Sequence, residues 1–471
     1  MTFHCSFPRT LAAVVPCAAL LLSPASALQD DGPALGTNRI TQADIVGGGL
    51  TLSDIRAAGM RMFATPFNRL DGYGDGLVDP IDKVSPGGRP TLQSNGTFLR
   101  VNGLDAQTCM ECHSVGSNAT VPFTFAVGGV GGSNNNAIFQ PRLIDVADQA
   151  GNGYADFDGR FINPPFLFGS GGIELVAAEM TADLQLSLRA AFSVPDTDYP
   201  LVTHGVSFGH VRYDSAAQGF DYSGVEGIDD DLVVRPFGRK GEFATVRGFD
   251  IDAMRFHFGM EPVEFAGPGI DQDQDGVSDE ILIGELSALH IFNTNLERPE
   301  IRDWNTEAQA GFDRFVLIGC ANCHTPELNT RSTSIGYRFP EIETAPQLNE
   351  FYRADLEQSP AGFEPNSIGG ITVPLFSDLK RHDMGPELAE NFGSPHDAEF
   401  ITARLWGAAD TAPYLHDGRA TTLTDAILMH GGEGLAARDA FAALTQPERV
   451  EILTFLKRLR TPEDPAQDIL P

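Results

Sequence analysis

Two pentapeptides constrain this chain of 471 residues more than any other feature: Cys109-Met-Glu-Cys112-His113 and Cys320-Ala-Asn-Cys323-His324. In Cys-x-x-Cys-His, two thiols about one helical turn apart can add across the two vinyl groups of one haem. The histidine that follows can then ligate the iron. A chain that does this twice must build two pockets, each wide enough for a flat macrocycle. Only two further cysteines are encoded, Cys5 and Cys17, and both lie near the N-terminus. The competing chemistry is a zinc site built from two Cys-x-x-Cys pairs. It gives the adjacent histidines no role and the chain no reason for export. The reading is therefore two covalent c-type haems, on Cys109, Cys112 and His113 and on Cys320, Cys323 and His324.

The N-terminal segment supports export. Arg9 precedes an apolar run, Leu11 to Leu22, broken by Pro16, and Ala25-Ser26-Ala27 has the small-x-small pattern of a cleavage site. Residues 1–27 read as a signal peptide, and the chain as periplasmic or otherwise exported. Cleavage removes Cys5 and Cys17, so no cysteine remains for a structural disulfide or for thiol exchange. The apolar run is too short and interrupted for a membrane span, and no later stretch is a better one. The formal net charge is −32, one unit more negative without Arg9. That charge argues against nucleic acid or an anionic membrane as partner and suits a basic redox partner protein. It also suits plain solubility.

Two segments look related. Gly59-Met-Arg-Met-Phe63 precedes the first pentapeptide at a distance, and Gly311-Phe-Asp-Arg-Phe315 lies just ahead of the second. Each predicts a helix that leads the chain towards a haem. The fold class expected is mainly α: two cytochrome c-like haem lobes with long irregular loops and a few short strands. After the signal peptide, residues 28–300 form the N-terminal haem domain with insertions, and 301–471 the C-terminal cytochrome c-like domain. A helix is predicted from about 174 to 191, and Leu232-Val233-Val234 reads as a short strand. Thr445-Gln-Pro-Glu448 is a capping box, followed by an apolar stripe of Ile452, Phe455, Leu456 and Leu459.

Several stretches carry a resemblance: GGRPTLQSNGTFLRVNGLDAQTCMECH (87–113), SDLKRHDMGPELAENF (377–392), RLWG (404–407) and HDGRATTLTDAILMHGGEG (416–434). Together with Thr411-Ala-Pro-Tyr-Leu-His416-Asp-Gly418 they resemble the di-haem oxidoreductase family, also named thiol oxidoreductases, which is related to bacterial di-haem cytochrome c peroxidases. The resemblance implies that the residue ending the helix after Thr422-Leu423 is the second haem's sixth ligand. That position falls on His430, with Met429 and Met384 as alternatives. It implies that His416 is a structural or haem-contact residue. Trp406 lies near an electron path or simply packs. The peroxidases carry an acidic Glu-Met pair on the open face of the first haem, which Glu179-Met180 resembles. Glu179 would then relay protons to bound peroxide, or be an ordinary surface glutamate. His257 is the alternative, as a sixth ligand of the first haem.

One acidic loop points to a metal. Asp271, Asp273, Asp275 and Asp279 stand at positions 1, 3, 5 and 9 of a loop with Gly276 at 6, as calcium requires. Leu282 stands where an EF-hand has its glutamate. A sparser loop, Asp71 to Asp79, is a weaker candidate. Together these features predict an exported di-haem oxidoreductase, peroxidase-like, passing electrons from the C-terminal to the N-terminal haem and on to peroxide or another small oxidant. The alternative is a di-haem electron carrier without its own catalytic site.

Overall fold

A computed structural model describes residues 32–74, 106–115, 138–145, 156–390 and 394–469. The signal-peptide segment, Asp75 and Asp79 lie outside the described residues. The described residues from Pro33 onwards cluster as one compact unit. Among the described residues, helix dominates the regular structure. In chain order the helices are α1 (Gln42–Val46), α2 (Leu52–Ala64), α3 (Ser170–Phe192), α4 (Val246–Phe258), α5 (Val263–Ala266), α6 (Ile283–Thr294), α7 (Thr306–Leu317), α8 (Leu423–Leu428), α9 (Leu435–Ala443) and α10 (Gln446–Leu456). No described helix is long and apolar enough to cross a membrane.

Two helix pairs are built alike. α2 starts at a Thr51–Asp54 capping box and buries Ile55, Ala58, Gly59, Met62 and Phe63 on one face. That face packs on α6, and a Cβ at Gly59 would lie 2.2 Å from the Ala288 carbonyl oxygen. α7 is capped by Asn305 and buries Ala308, Gly311 and Phe315. It packs on α10, and a Cβ at Gly311 would lie 2.0 Å from the Glu451 carbonyl oxygen. In each pair the glycine lets two backbones touch, and the phenylalanine four residues on faces a pentapeptide histidine. Phe63 lies 6.5 Å from His113 and Phe315 6.3 Å from His324, ring centre to ring centre.

Two apolar cores follow from this. The larger runs from Ile45 through α2, α3 and α6 to Trp406 and includes Cys112. The smaller contains Phe315, Phe376, Phe441, Ile452, Phe455, Leu456 and Leu459, with Cys320 packed against it. Strands are short and antiparallel. A three-stranded sheet joins 198–203, 206–214 and 219–221, and two-stranded pairs include 334–338 with 350–355 and 381–383 with 399–401.

Three local expectations need adjusting. The helix predicted from 174 starts at Ser170, because the small Gly171 and Gly172 fit against the Thr294 carbonyl and the Phe363 ring. Leu232–Val234 is not a strand. It is a buried irregular segment whose polar groups are satisfied by Thr181 and Gln185 of α3. Leu459 belongs to the predicted stripe but lies beyond α10, in a two-residue strand paired with Glu300–Ile301.

Candidate functional sites

Both pentapeptides fold as the same turn. A single 3-10 turn carries Cys109–Glu111 and Cys320–Asn322, and the His113 and His324 amides donate back to the Cys109 and Cys320 carbonyls at 2.9 and 3.0 Å.

At the second motif, His324 faces His430 with ring centres 6.3 Å apart. His324 Nδ1–H donates to the Phe376 carbonyl at 3.1 Å, and His430 Nδ1–H donates to the Ala426 carbonyl at 2.8 Å. Each bond fixes a tautomer and leaves Nε2 as the free lone pair, as for a histidine metal ligand held by a backbone carbonyl. A histidine–metal bond is about 2 Å, so two imidazoles on opposite sides of one metal have ring centres roughly 6 Å apart. Burial, and then His430, push the His324 pKa down to about 4, and burial lowers that of His430. Both shifts favour the neutral imidazole that ligates a metal. The residues present therefore fit a bis-histidine haem. Met429 is 37% exposed.

The segment 376–385 straps this site together. Phe376 holds His324, and the Asp378 amide donates to the Cys323 carbonyl at 2.9 Å. His382 is clamped between Asp378 (Nε2 to Oδ2, 2.9 Å) and Glu433 (Nδ1 to Oε2, 2.8 Å), and the Asp383 amide also donates to Glu433. Burial alone would lower the His382 pKa. Hydrogen bonds to Asp378, Cys323 and Glu433 outweigh it and raise the value to about 11. Here the Cys323 thiol stands in for a thioether sulfur. His416 is separate and stacks on Phe400 at 4.3 Å.

The first motif is overlain by α4, which presents Asp250, Met254 and His257 at i, i+4 and i+7. Burial, and then His257, push the His113 pKa down to about 4, with the Pro165 carbonyl opposing. That carbonyl closes no hydrogen bond of good geometry, and His113 Nδ1 is buried without a partner. Burial, and then Asp250, push the Cys109 thiol up. Asp250 is 7% exposed and accepts from Asn293 Nδ2 at 3.1 Å, and burial raises its pKa to about 7. Behind it Glu174 accepts from His290 Nε2 at 2.9 Å and from the Val246 amide at 2.8 Å.

Glu179, the glutamate that the resemblance singles out, sits five residues beyond Glu174, about 140° further round α3. Its carboxylate accepts from the Arg331 and Ser332 amides at 2.9 and 3.1 Å and pairs with His204 Nε2 at 3.0 Å. Asp250 carries no signal in its local sequence, because its burial arises only when α4 docks on α6, where Asn293 bonds it.

The acidic loop forms two overlapping groups that share Asp273. Asp271, Asp273 and Asp275 bring oxygens within 4.8 Å of one another, as do Glu261, Asp273 and Glu280. Asp271 Oδ1 is buried without a hydrogen-bond partner. Burial, with Asp275, Asp273 and Glu261 adding to it, raises the Glu280 pKa to about 9. Asp279 is not in either group: its Oδ1 accepts from the Gly269 amide and its carbonyl from Arg39. In the sparser loop, the Asp71 carboxylate is taken by the Ala34, Leu35 and Asn68 amides.

Residues 364–459 match the family model described as "Di-haem oxidoreductase, putative peroxidase". That stretch contains the strap, RLWG and His430, and the match supports di-haem redox chemistry. A comparison with curated proteins finds no match. Among solved structures, a MauG-like protein associated with microbial copper homeostasis is 15% identical, covering 54% of this chain and 80% of its own, with a TM-score of 0.30. Hydrazine synthase of Kuenenia stuttgartiensis is 14% identical, covering 96% of this chain and 100% of its own, with a TM-score of 0.31.

Proposed function

We propose that this chain, whose residues 364–459 carry the di-haem oxidoreductase signature, is an exported di-haem c-type oxidoreductase with peroxidase-like activity. The observation that carries the reading is the facing pair His324 and His430, each locked by a backbone carbonyl with its Nε2 free. When bound, the haems would supply one-electron chemistry, with electrons passing from the C-terminal to the N-terminal site and on to peroxide or another small oxidant. Cys320 and Cys323 would hold one haem and Cys109 and Cys112 the other. His382, with Asp378 and Glu433, ties the loop bearing His430 to the segment bearing Cys323. We assign the proton-holding role at the first site to Asp250 rather than Glu179. Asp250 is buried beside Cys109, and a pKa near neutrality suits an acid that gives and takes a proton.

Calcium is assigned to Asp271, Asp273 and Asp275 with Glu261 and Glu280. The buried, unpartnered Asp271 oxygen and the raised Glu280 pKa are what a bound cation would relieve. We place the protein in the periplasm, with cleavage after Ala27 and a basic redox partner protein. N-terminal sequencing of exported protein should begin at Leu28, and retention of Met1 would remove the leader.

A second reading, the pure carrier, rests on one observation: His257 acts on His113 as His430 acts on His324. Electron paramagnetic resonance of the resting and half-reduced protein, with cyanide and peroxide added, separates the two. An enzyme shows one iron that binds cyanide, and Asp250→Asn slows peroxide turnover by on the order of 10². Two low-spin irons that ignore cyanide in both states would leave the carrier, with His257 as the first iron's sixth ligand.

A further inference from the structure

Arg56 lies on α2 with 1% of its surface exposed, and its charge is held from far along the chain. Nη1 pairs with Asp468, 412 residues further on. Nε and Nη2 are buried without a hydrogen-bond partner among the described residues. The Asp468 side chain is itself 41% exposed. An ion pair between two exposed side chains can be lost at little cost, because water replaces each partner. Here water replaces only one of them. With the carboxylate gone the guanidinium stays buried, and the whole loss falls on α2.

The segment that bears Asp468 is fastened along its length. Leu459 belongs to the smaller core, and Leu459–Arg460 pair with Glu300–Ile301. The Thr461 amide donates to Asp410 Oδ2 at 3.0 Å, and Arg302 Nη2 donates to the Thr461 carbonyl at 2.9 Å. The Ala466 amide donates to Glu297 Oε1 at 2.8 Å, and Ile469 packs against the larger core. Residues 459–469 thus run from the smaller core, back along 297–302, to α2.

What fixes α2 also fixes the first pentapeptide. Arg56 and Phe63 are both buried and stand about two turns apart on one face of α2. The Phe63 carbonyl accepts from Thr108 Oγ1 at 3.0 Å, and the Phe67 amide donates to the Gln107 carbonyl at 3.0 Å. Thr108 caps the turn that starts at Cys109, and the Phe63 ring faces His113. Glu297 supplies an alternative to the docked arrangement. Its Oε2 is buried without a partner. Residues 466 and 468 are at most about 7 Å apart along the chain, so Glu297 and Arg56 lie under the same short stretch. With Asp468 withdrawn, the guanidinium has this carboxylate to turn to, and α2 follows it.

We propose that Asp468 is a positioning residue for the first haem site: it is the latch through which the segment after α10 holds α2, and with it the Cys109 turn, in place. The inference rests on the di-haem reading, and its test keeps the two apart. Wild type, Asp468→Asn, Asp468→Glu, Arg56→Met and the double variant Arg56→Met/Asp468→Asn are made with a c-type maturation system. Intact mass establishes the haem content of each, and wild type without two haems would sink the underlying reading. Two signals are then followed. One is hydrogen exchange over residues 52–64, with α7 as the control. The other is the electron paramagnetic resonance of the haem that Cys109→Ala/Cys112→Ala removes. Losing a hydrogen bond between charged groups loosens a local opening equilibrium by on the order of tenfold. Asp468→Asn should speed exchange over 52–64 by that factor, leave α7 alone and shift the signal of the first haem only. Asp468→Glu should recover part of both changes. In Arg56→Met the buried charge is gone, so adding Asp468→Asn should change nothing further. Loss of the first haem alone from Asp468→Asn, recovered in Asp468→Glu, would equally support the latch. Unchanged exchange over 52–64 in a fully loaded Asp468→Asn would overturn the proposal and leave the di-haem reading intact. So would a looser α2 beside an unaltered first-haem signal, or an equal effect of Asp468→Asn with and without Arg56.

Discussion

At His324 and His430 the decisive contacts are the two Nδ1–H bonds to Phe376 and Ala426, since they leave both Nε2 lone pairs free on rings 6.3 Å apart. His430→Ala should turn one low-spin haem high-spin in the visible spectrum and leave the other alone, while Met429→Leu should change neither. An unaltered His430→Ala spectrum would remove His430 from the ligand set. The shared turn of the two pentapeptides was legible because each is written in five consecutive letters. His430 was reachable only through its place after HDGRATTL. Asp250 was not legible, since nothing in FDIDAM distinguishes a buried aspartate from an exposed one. Its pKa, raised by burial from 3.8 to about 7, gives a pH signature. A raised carboxyl pKa means stability is full below about pH 4 and falls as pH rises through about 7. Asp250→Asn should flatten that fall in thermal melts of the holoprotein, by at most about 4 kcal/mol. A wild-type melt already flat from pH 4 to 8 would contradict it.

Helices were legible where caps and stripes coincide. Thr445–Glu448 forms the predicted capping box, and Ile452, Phe455 and Leu456 of the predicted stripe are buried on α10; on α7 only Phe315 of the apolar spacing Phe312, Phe315, Val316 is buried. The two-residue strands were not legible, because their pairing depends on partners far along the chain, as for Arg460 and Glu300, 460 − 300 = 160 positions apart. The shared Gly-x-x-x-Phe pattern has a physical meaning only in the packed helices: glycine at the crossing, phenylalanine towards the histidine. Gly311→Ala should force α7 away from the Glu451 carbonyl and cost about 1–3 kcal/mol in denaturant unfolding. A neutral outcome would mean that the crossing has slack. The acidic loop makes a separate prediction. Calorimetric titration of chelator-stripped protein should show one calcium bound, and Asp273→Asn/Asp275→Asn should lose it. Equal uptake by both proteins would reduce the loop to a turn.

At the scale of the whole molecule, two apolar cores lie inside one compact unit, Cys112 belonging to the larger and Cys320 packing against the smaller. Their junction runs through 165–169 and 403–407, which sequence reasoning marked only as RLWG. The common turn at both motifs and the matched phenylalanines at 6.5 and 6.3 Å describe one device used twice. Everything proposed for the chain depends on that device being filled at both places. The most direct measurement is intact mass, under denaturing conditions, of protein produced with a c-type maturation system. The account predicts a chain carrying two covalent haems, with Cys109→Ala/Cys112→Ala and Cys320→Ala/Cys323→Ala each removing one. A wild-type chain with one haem or none, or with zinc in their place, would contradict it.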